Sequence, residues 1–158
     1  MKIEEHSNDV NIRVGIIIRK KGTSQILIEH ATGKYAPMPC MDIPKGHLTA
    51  GEDFEVGACR EVFEETGVEI DPGELIAIGS YPYNKTMLHL YYIETNFDIT
   101  KCKCISTFKS PSGKELPEVD GYELFDMEND DLETSLLYKG LKPILKDVFE
   151  KIKQLEKE

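Results

Sequence analysis

Short apolar runs rich in β-branched residues alternate with polar turns along most of the chain. Residues 11–19 and 25–29 form one such pair, and the glycine-containing turn between them is typical of an antiparallel hairpin. Residues 74–83 and 86–95 form a second pair, and residues 121–127 have the pattern of a short closing strand. The pattern therefore predicts a sheet whose strands flank a central, strongly acidic segment.

Two segments have the three- and four-residue apolar spacing of an α-helix. The C-terminal segment has Pro143 in its first turn, and its repeating apolar residues are Leu141, Leu145, Val148, Phe149, Ile152 and Leu155. The acidic segment, residues 52–66, lacks proline, and Gly67 follows it as a C-cap. In this second helix we expect a core face made of Val56, Cys59, Val62, Phe63 and Thr66.

The opposite face of the acidic helix carries Glu61, Glu64 and Glu65. Like charges at these spacings oppose a helix by a few tenths of a kcal/mol per pair, so water or bound cations must offset the repulsion. Three carboxylates are also the oxygen ligands that Mg²⁺ or Mn²⁺ prefers. Gly57 and Ala58, one turn earlier, are expected to leave room for a ligand. We therefore favour a metal site over a merely solvated face.

Composition and charge restrict the number of domains and the classes of ligand that the chain is expected to have. The 158 residues, 40% of them apolar and without an interdomain linker, predict one domain over residues 1–158. A formal net charge of −10 argues against extended nucleic-acid contact, although metals held by carboxylates would still permit small phosphorylated ligands. The four cysteines include no Cys-x-x-Cys pair, and no signal peptide or membrane-spanning run is visible. A cytoplasmic protein without a membrane partner is the expectation.

The acidic helix belongs to a longer motif. From Gly46 to Val68 the sequence GHLTAGEDFEVGACREVFEETGV matches the Nudix box, G-x5-E-x7-R-E-U-x-E-E-x-G-U with U a bulky aliphatic residue, at every defined position. The chain therefore resembles the Nudix hydrolase family. The resemblance implies an α/β class Nudix fold, an α/β/α sandwich around a mixed β-sheet.

The resemblance also implies a reaction and a set of site residues. Family members hydrolyse a nucleoside diphosphate linked to another moiety and use Mg²⁺ or Mn²⁺. The implied metal ligands are the Gly46 carbonyl and the carboxylates of Glu61, Glu64 and Glu65. Arg60 and Glu52 would orient these glutamates, and the base that activates water would be Glu61, Glu64 or an acid on another loop.

Substrate specificity is expected to depend on residues outside the box. Residues 31–41 contain two prolines and a glycine and predict a loop that walls a pocket or covers the core edge. Candidate stacking residues are Tyr35, Tyr81, Tyr83 and Phe108; Met38 is a further candidate contact; candidate phosphate contacts are Lys45, Lys85 and Lys109; and Glu118 is a candidate extra acid. About half or more of these are expected to make no ligand contact.

The small size and Pro44-Lys45, where many members have paired glycines, favour a nucleoside triphosphate or dinucleoside polyphosphate as the substrate. An RNA 5′-end pyrophosphohydrolase and an inactive nucleotide-sensing module are the alternatives. The oligomeric state is left open between monomer and homodimer.

Overall fold

The structure is a computed structural model that describes residues 11–32 and 40–158. Nine strands and two α-helices follow one another along these ranges. The strands are β1 (Ile12–Lys20), β2 (Gln25–Ala31), β3 (Met41–Asp42), β4 (Lys45–His47), β5 (Ile76–Tyr83), β6 (Thr86–Thr95), β7 (Thr107–Lys109), β8 (Glu115–Pro117) and β9 (Val119–Asp126). The helices are α1 (Phe54–Thr66) and α2 (Lys142–Glu156).

Seven of the strands form one mixed sheet. Its central path runs β3-β2-β1-β6-β5, with β4 paired to β1 and β9 paired to β2. The β1–β6 pair is parallel and the other pairs are antiparallel. The mixed sheet agrees with the sequence expectation, whereas the separate β7–β8 hairpin lies in a region for which the sequence predicted no strand.

The first two strands diverge beyond their turn. They pair where Arg19 lies opposite Ile26, but β1 then pairs with β4 and β2 pairs with β3 and β9. The segment from β3 to β4 thus lies between them. Side chains from β1 to β4 therefore converge in the resulting cleft.

One helix covers each face of the sheet. On β1, Ile17 packs in the cluster that contains Leu145 and Val148 of α2, whereas Ile16 and Ile18 pack with Val62 of α1. This alternation is the two-residue period of a strand buried on both faces. The layers are those of an α/β/α sandwich. Within the described residues, no helix is long and apolar enough to span a membrane.

The expected orientation of α1 was partly wrong. Val56 and Phe63, assigned to the core face, are 46% and 39% exposed, while Ala58 is fully buried. The helix begins at Phe54, later than residue 52, and it turns Ala58 and Val62 toward the sheet. A small side chain at the contact allows a helix to approach a sheet closely, which a pattern based on hydrophobicity alone does not register.

Candidate active site

A cavity of about 650 Å³ opens between α1 and the cleft where β1 and β2 diverge. It brings together seven of the fifteen candidate residues that the sequence predicted. Those that line it are Lys45, Gly46, Glu61, Glu64, Glu65, Tyr83 and Glu118. Residues that the sequence did not indicate, among them Arg13, Glu29 and Asp42, line it as well.

Arg60 joins the loop before α1 to the glutamates on the helix. Its Nε and Nη2 donate to the two carboxylate oxygens of Glu52 at 2.7 and 3.0 Å. Its Nη1 donates to Glu61 at 3.0 Å and to Glu64 at 3.2 Å. The hydrogen bond from Arg60 holds the pKa of Glu52 below its usual value. One guanidinium thus restricts the rotamers of three carboxylates, as a planar fork of donors is able to do.

The absence of a side chain at Gly46 leaves space for the Glu61 carboxylate. A Cβ atom built on Gly46 would overlap both oxygens of that carboxylate. Burial is the main cause of a raised pKa for Glu61, and the neighbouring Arg60 partly opposes the increase. The glycine is therefore needed at this position because a carboxylate lies directly against its backbone.

Gly57 has a packing role, contrary to our expectation that it leaves room for a ligand. A Cβ atom there would lie 2.6 Å from a methyl carbon of Leu48 and 2.8 Å from a carboxylate oxygen of Glu52. Ala58, expected to do the same, is buried against the sheet. Small residues at these two positions let the preceding loop and the sheet pack against α1.

Glu65 differs from the other two helix glutamates because it points into the protein. It is 9% exposed, and its carboxylate accepts a hydrogen bond of 3.1 Å from the backbone N–H of Lys45. Glu29 on β2 lines the same cavity as Glu65 and is 6% exposed. Burial raises the pKa of both groups.

Glu29 lines the cavity, although the sequence did not indicate it. The segment QILIE reads as an ordinary strand that ends in a charged residue. The two-residue period of β2 nevertheless offered a signal, because it places Glu29 on the same face as the buried Leu27. A glutamate in such a position requires a partner.

Two cations lie in another part of the cavity wall. The Arg13 guanidinium and the Lys45 ammonium are 5.5 and 4.9 Å from the centre of the Tyr83 ring. Asp42 accepts from the Tyr83 hydroxyl at 2.5 Å and pairs with Lys45 at 3.2 Å. Burial raises the pKa of the Tyr83 hydroxyl. The Tyr83 ring therefore supports the two cations, and this arrangement does not favour the expected stacking role.

The remaining predicted contacts lie elsewhere. Tyr81 does not line the cavity. Its hydroxyl instead donates to Asp147 of α2 at 2.5 Å and accepts from Lys151 at 3.1 Å. Phe108 lies in the β7–β8 hairpin opposite Leu116. Lys85 and Lys109 are not among the cavity-lining residues. Tyr35 and Met38 lie outside the described residues.

The donor set around Gly46 fits a hard divalent cation. Carboxylate oxygens and a backbone carbonyl are the ligands that Mg²⁺ and Mn²⁺ prefer. Within residues 11–32 and 40–158, no three acidic, histidine or cysteine side chains are already grouped as a metal site. Oxygens of Glu61 and Glu64 instead accept hydrogen bonds from Arg60. Cation binding would therefore need local rotation of these two side chains, which line the same cavity as Gly46.

Comparison with known proteins identifies the family. The model of the NUDIX domain matches residues 10–146. The chain belongs to the NUDIX family. Nudix hydrolase 2 of Arabidopsis thaliana is 27% identical over 66 residues, which are 42% of this chain and 24% of the plant protein. The match thus spans about a quarter of that relative.

Solved NUDIX structures share the fold. The MutT protein of Methanosarcina mazei superposes with a TM-score of 0.62 at 19% identity, covering 94% of this chain and 96% of that one. The Caenorhabditis elegans Ap4A hydrolase gives a TM-score of 0.59 at 19% identity, with coverages of 92% and 97%. A MutT/nudix family protein from Enterococcus faecalis gives 0.67 at 15% identity, with coverages of 92% and 63%. NUDIX hydrolases generally need divalent metal ions.

Proposed function

We propose that this protein is a pyrophosphohydrolase that cleaves a phosphoanhydride bond in a nucleoside diphosphate derivative, with Mg²⁺ or Mn²⁺ as cofactor. The observation that carries the proposal is the wall of a single cavity, which contains the helix carboxylates and the cations Arg13 and Lys45. A polyphosphate chain needs both kinds of group, because metal ions held by the carboxylates and the cationic side chains together neutralise its negative charge.

The helix glutamates are the proposed metal ligands. Glu61, Glu64 and Glu65, together with the Gly46 carbonyl, would hold the cation. When bound, Mg²⁺ or Mn²⁺ neutralises phosphoryl oxygens and makes a water molecule nucleophilic near neutral pH. Glu52 and Arg60 keep two of the glutamates at the cavity wall, since Arg60 contacts Glu61 and Glu64 directly.

Arg13 and Lys45 are the proposed phosphate contacts. Nε of Arg13 is buried without a partner among the described residues, and the rest of the guanidinium lies near the Tyr83 ring. Lys45 has only Asp42 as an ion-pair partner in those ranges. Both cations are therefore free to add an anionic ligand without breaking a larger network. Phosphate binding by Arg and Lys is favoured by charge and by their multiple donors.

The proton acceptor for the attacking water is proposed to be Glu64 or Glu118. Glu64 is 37% exposed at its side chain, and Glu118 is exposed at the cavity. Either carboxylate reaches water directly, whereas Glu65 is buried against Lys45 and Glu29. A base must lie within hydrogen-bond reach of the water that it activates.

The proposed substrate is a nucleoside triphosphate or a dinucleoside polyphosphate. A cavity of about 650 Å³ falls within the usual range for sites that enclose a small ligand. The net charge of −10 disfavours a long RNA, whose backbone would be repelled outside the cavity.

A product analysis tests the proposal. The purified protein is incubated with Mg²⁺ or Mn²⁺ and separate nucleoside triphosphates, oxidised nucleotides, dinucleoside polyphosphates, ADP-ribose and nucleotide sugars, and the products are resolved by chromatography. We expect metal-dependent cleavage within the triphosphate or dinucleoside polyphosphate class, which would also identify the leaving group. Tight binding without product from any compound would instead support a nucleotide-sensing module.

A further inference from the structure

A buried carboxylate on β2 lacks a partner that would stabilise its charge. Glu29 is 6% exposed, and its Oε1 has no hydrogen-bond partner among the described residues. Removing an ionised carboxylate from water is costly unless hydrogen bonds or a cation compensate for the lost hydration. An apolar residue would fill this strand position at lower cost.

The position of Glu29 connects it to the helix carboxylates. On the sheet it lies opposite Asp42 of β3 and Tyr122 of β9, where β1 and β2 have diverged. Its side chain lines the same cavity as Glu61, Glu64 and Glu65, and after burial the neighbouring Glu65 carboxylate is the next cause of the raised pKa of Glu29. Two carboxyl groups from different elements of the fold thus meet at the inner end of the cavity.

The ion pairs of Lys45 and Arg60 are with carboxylates other than Glu29. The Lys45 ammonium pairs with Asp42 at 3.2 Å. The Arg60 guanidinium bonds to Glu52 and to the outer two helix glutamates. Lys45 also donates a hydrogen bond to Glu65, but it does so through its backbone N–H, and that bond does not involve Glu29. No side-chain cation in the described ranges therefore forms a salt bridge with Glu29.

We propose that Glu29 is a further carboxylate ligand of the divalent-cation site and binds a cation jointly with Glu65. This inference rests on the proposed function, because it extends the metal site on α1 to strand β2. A cation between the two carboxyl groups supplies the missing partner of Glu29 Oε1. It also offsets the repulsion between two buried negative charges.

The variant Glu29→Gln separates this role from a purely structural one. Glutamine has the same size, and its NH₂ group donates to Glu65 as a neutral carboxyl group would, but it cannot contribute a negative charge. Mn²⁺ binding is measured by isothermal titration calorimetry without nucleotide. We expect the Kd of the variant to rise by roughly tenfold or more. An unchanged Kd would overturn the assignment.

Thermal unfolding gives a second readout that does not depend on activity. With EDTA, Glu29→Gln is expected to have a Tm equal to or above that of the wild type, because one buried like charge is removed. Saturating Mn²⁺ is expected to raise the Tm of the wild type more than that of the variant. A Tm lowered by the same amount with and without Mn²⁺ would indicate a packing role and contradict the proposal.

Two further variants complete the design. Glu123→Gln changes an exposed glutamate on the neighbouring strand, opposite Ile28, and is expected to bind Mn²⁺ like the wild type. Glu29→Asp keeps the charge but shortens the side chain, and it replaces the glutamine variant if that variant does not fold. Weaker Mn²⁺ binding is again expected for it. Wild-type Mn²⁺ binding would refute the role of Glu29 as a cation ligand. If the wild type itself binds no Mn²⁺, the proposed function fails. Normal binding by the Glu29 variants overturns only this inference.

Discussion

Replacing Gly46 with alanine is expected to reduce turnover strongly while it changes the stability of the fold only slightly. The new Cβ atom would overlap the carboxylate oxygens of Glu61 in their present position. Gly46 is not among the glycines with positive φ, so alanine is compatible with its backbone conformation. The atoms in the way are the end of a rotatable side chain. We therefore expect Glu61 to swing aside while the backbone stays in place.

The expected magnitudes follow from the contacts that Glu61 would lose. Its 3.0 Å hydrogen bond from Arg60 breaks, while Arg60 keeps its bonds to Glu52 and Glu64. The loss of one charge-assisted bond at a partly exposed site lowers the free energy of unfolding by about 1 kcal/mol. A displacement of about 1 Å at a reacting centre reduces turnover roughly 100-fold, so we expect at least that loss in kcat/KM.

Urea unfolding followed by circular dichroism measures the first quantity, and chromatographic product release measures the second. Gly121→Ala is the matched control, because the nearest atom to its new Cβ is the His30 Cβ at an ordinary contact distance of 3.7 Å. The control is expected to match the wild type in both assays. Wild-type turnover by Gly46→Ala would refute the assigned position of Glu61. If the variant is instead largely unfolded under the conditions of the turnover assay, the loss of activity would come from unfolding, and the expectation that the backbone stays in place would be wrong.

Two further predictions concern the same helix. Arg60→Lys replaces a planar guanidinium that contacts three glutamates with a single ammonium group. We expect the free energy of unfolding, measured in urea, to fall by about 1–2 kcal/mol and turnover to fall at least tenfold. Unchanged unfolding and turnover would show that the guanidinium contacts are dispensable. Burial raises the pKa of the Cys59 thiol to about 11, so about one molecule in a thousand carries its thiolate at pH 8. Peptide mapping after iodoacetamide treatment at pH 8 should show slow Cys59 alkylation in the folded protein and fast alkylation in urea. Equal rates in the two conditions would contradict the burial of Cys59.

Much of the site could be predicted because the motif is contiguous in sequence. Arg60, Glu61 and Glu64 lie within two turns of one helix, so their proximity follows from helical geometry alone. The β-branched apolar run at residues 11–19 likewise predicted a strand, and the structure confirms it as β1. The orientation of α1 was not accessible in this way, because Glu65 faces inward toward groups contributed by β2 and β4.

The rest of the cavity depends on contacts between distant segments. Arg13, Glu29 and Asp42 reach it only because β1 and β2 diverge around the segment from β3 to β4. Local patterns predicted the hairpin but not the divergence, since pairing partners beyond the turn depend on the tertiary fold. Tyr81 and Tyr83 looked equivalent in sequence, yet α2 holds the hydroxyl of the first and Asp42 that of the second.

The most direct test compares the metal dependence of turnover in the wild type and in Glu64→Gln, using the compound that the wild type hydrolyses. Glu64 is partly exposed at the cavity, so the substitution should leave the fold intact, and Glu69→Gln, an exposed glutamate just beyond α1, is the matched control. We expect no product with EDTA, full recovery with excess Mg²⁺ or Mn²⁺ in the wild type and Glu69→Gln, and turnover lower by orders of magnitude in a folded Glu64→Gln. Cleavage that persists in EDTA, or Glu64→Gln turning over like the wild type, would contradict the assignment of this cavity as a metal-dependent pyrophosphohydrolase site.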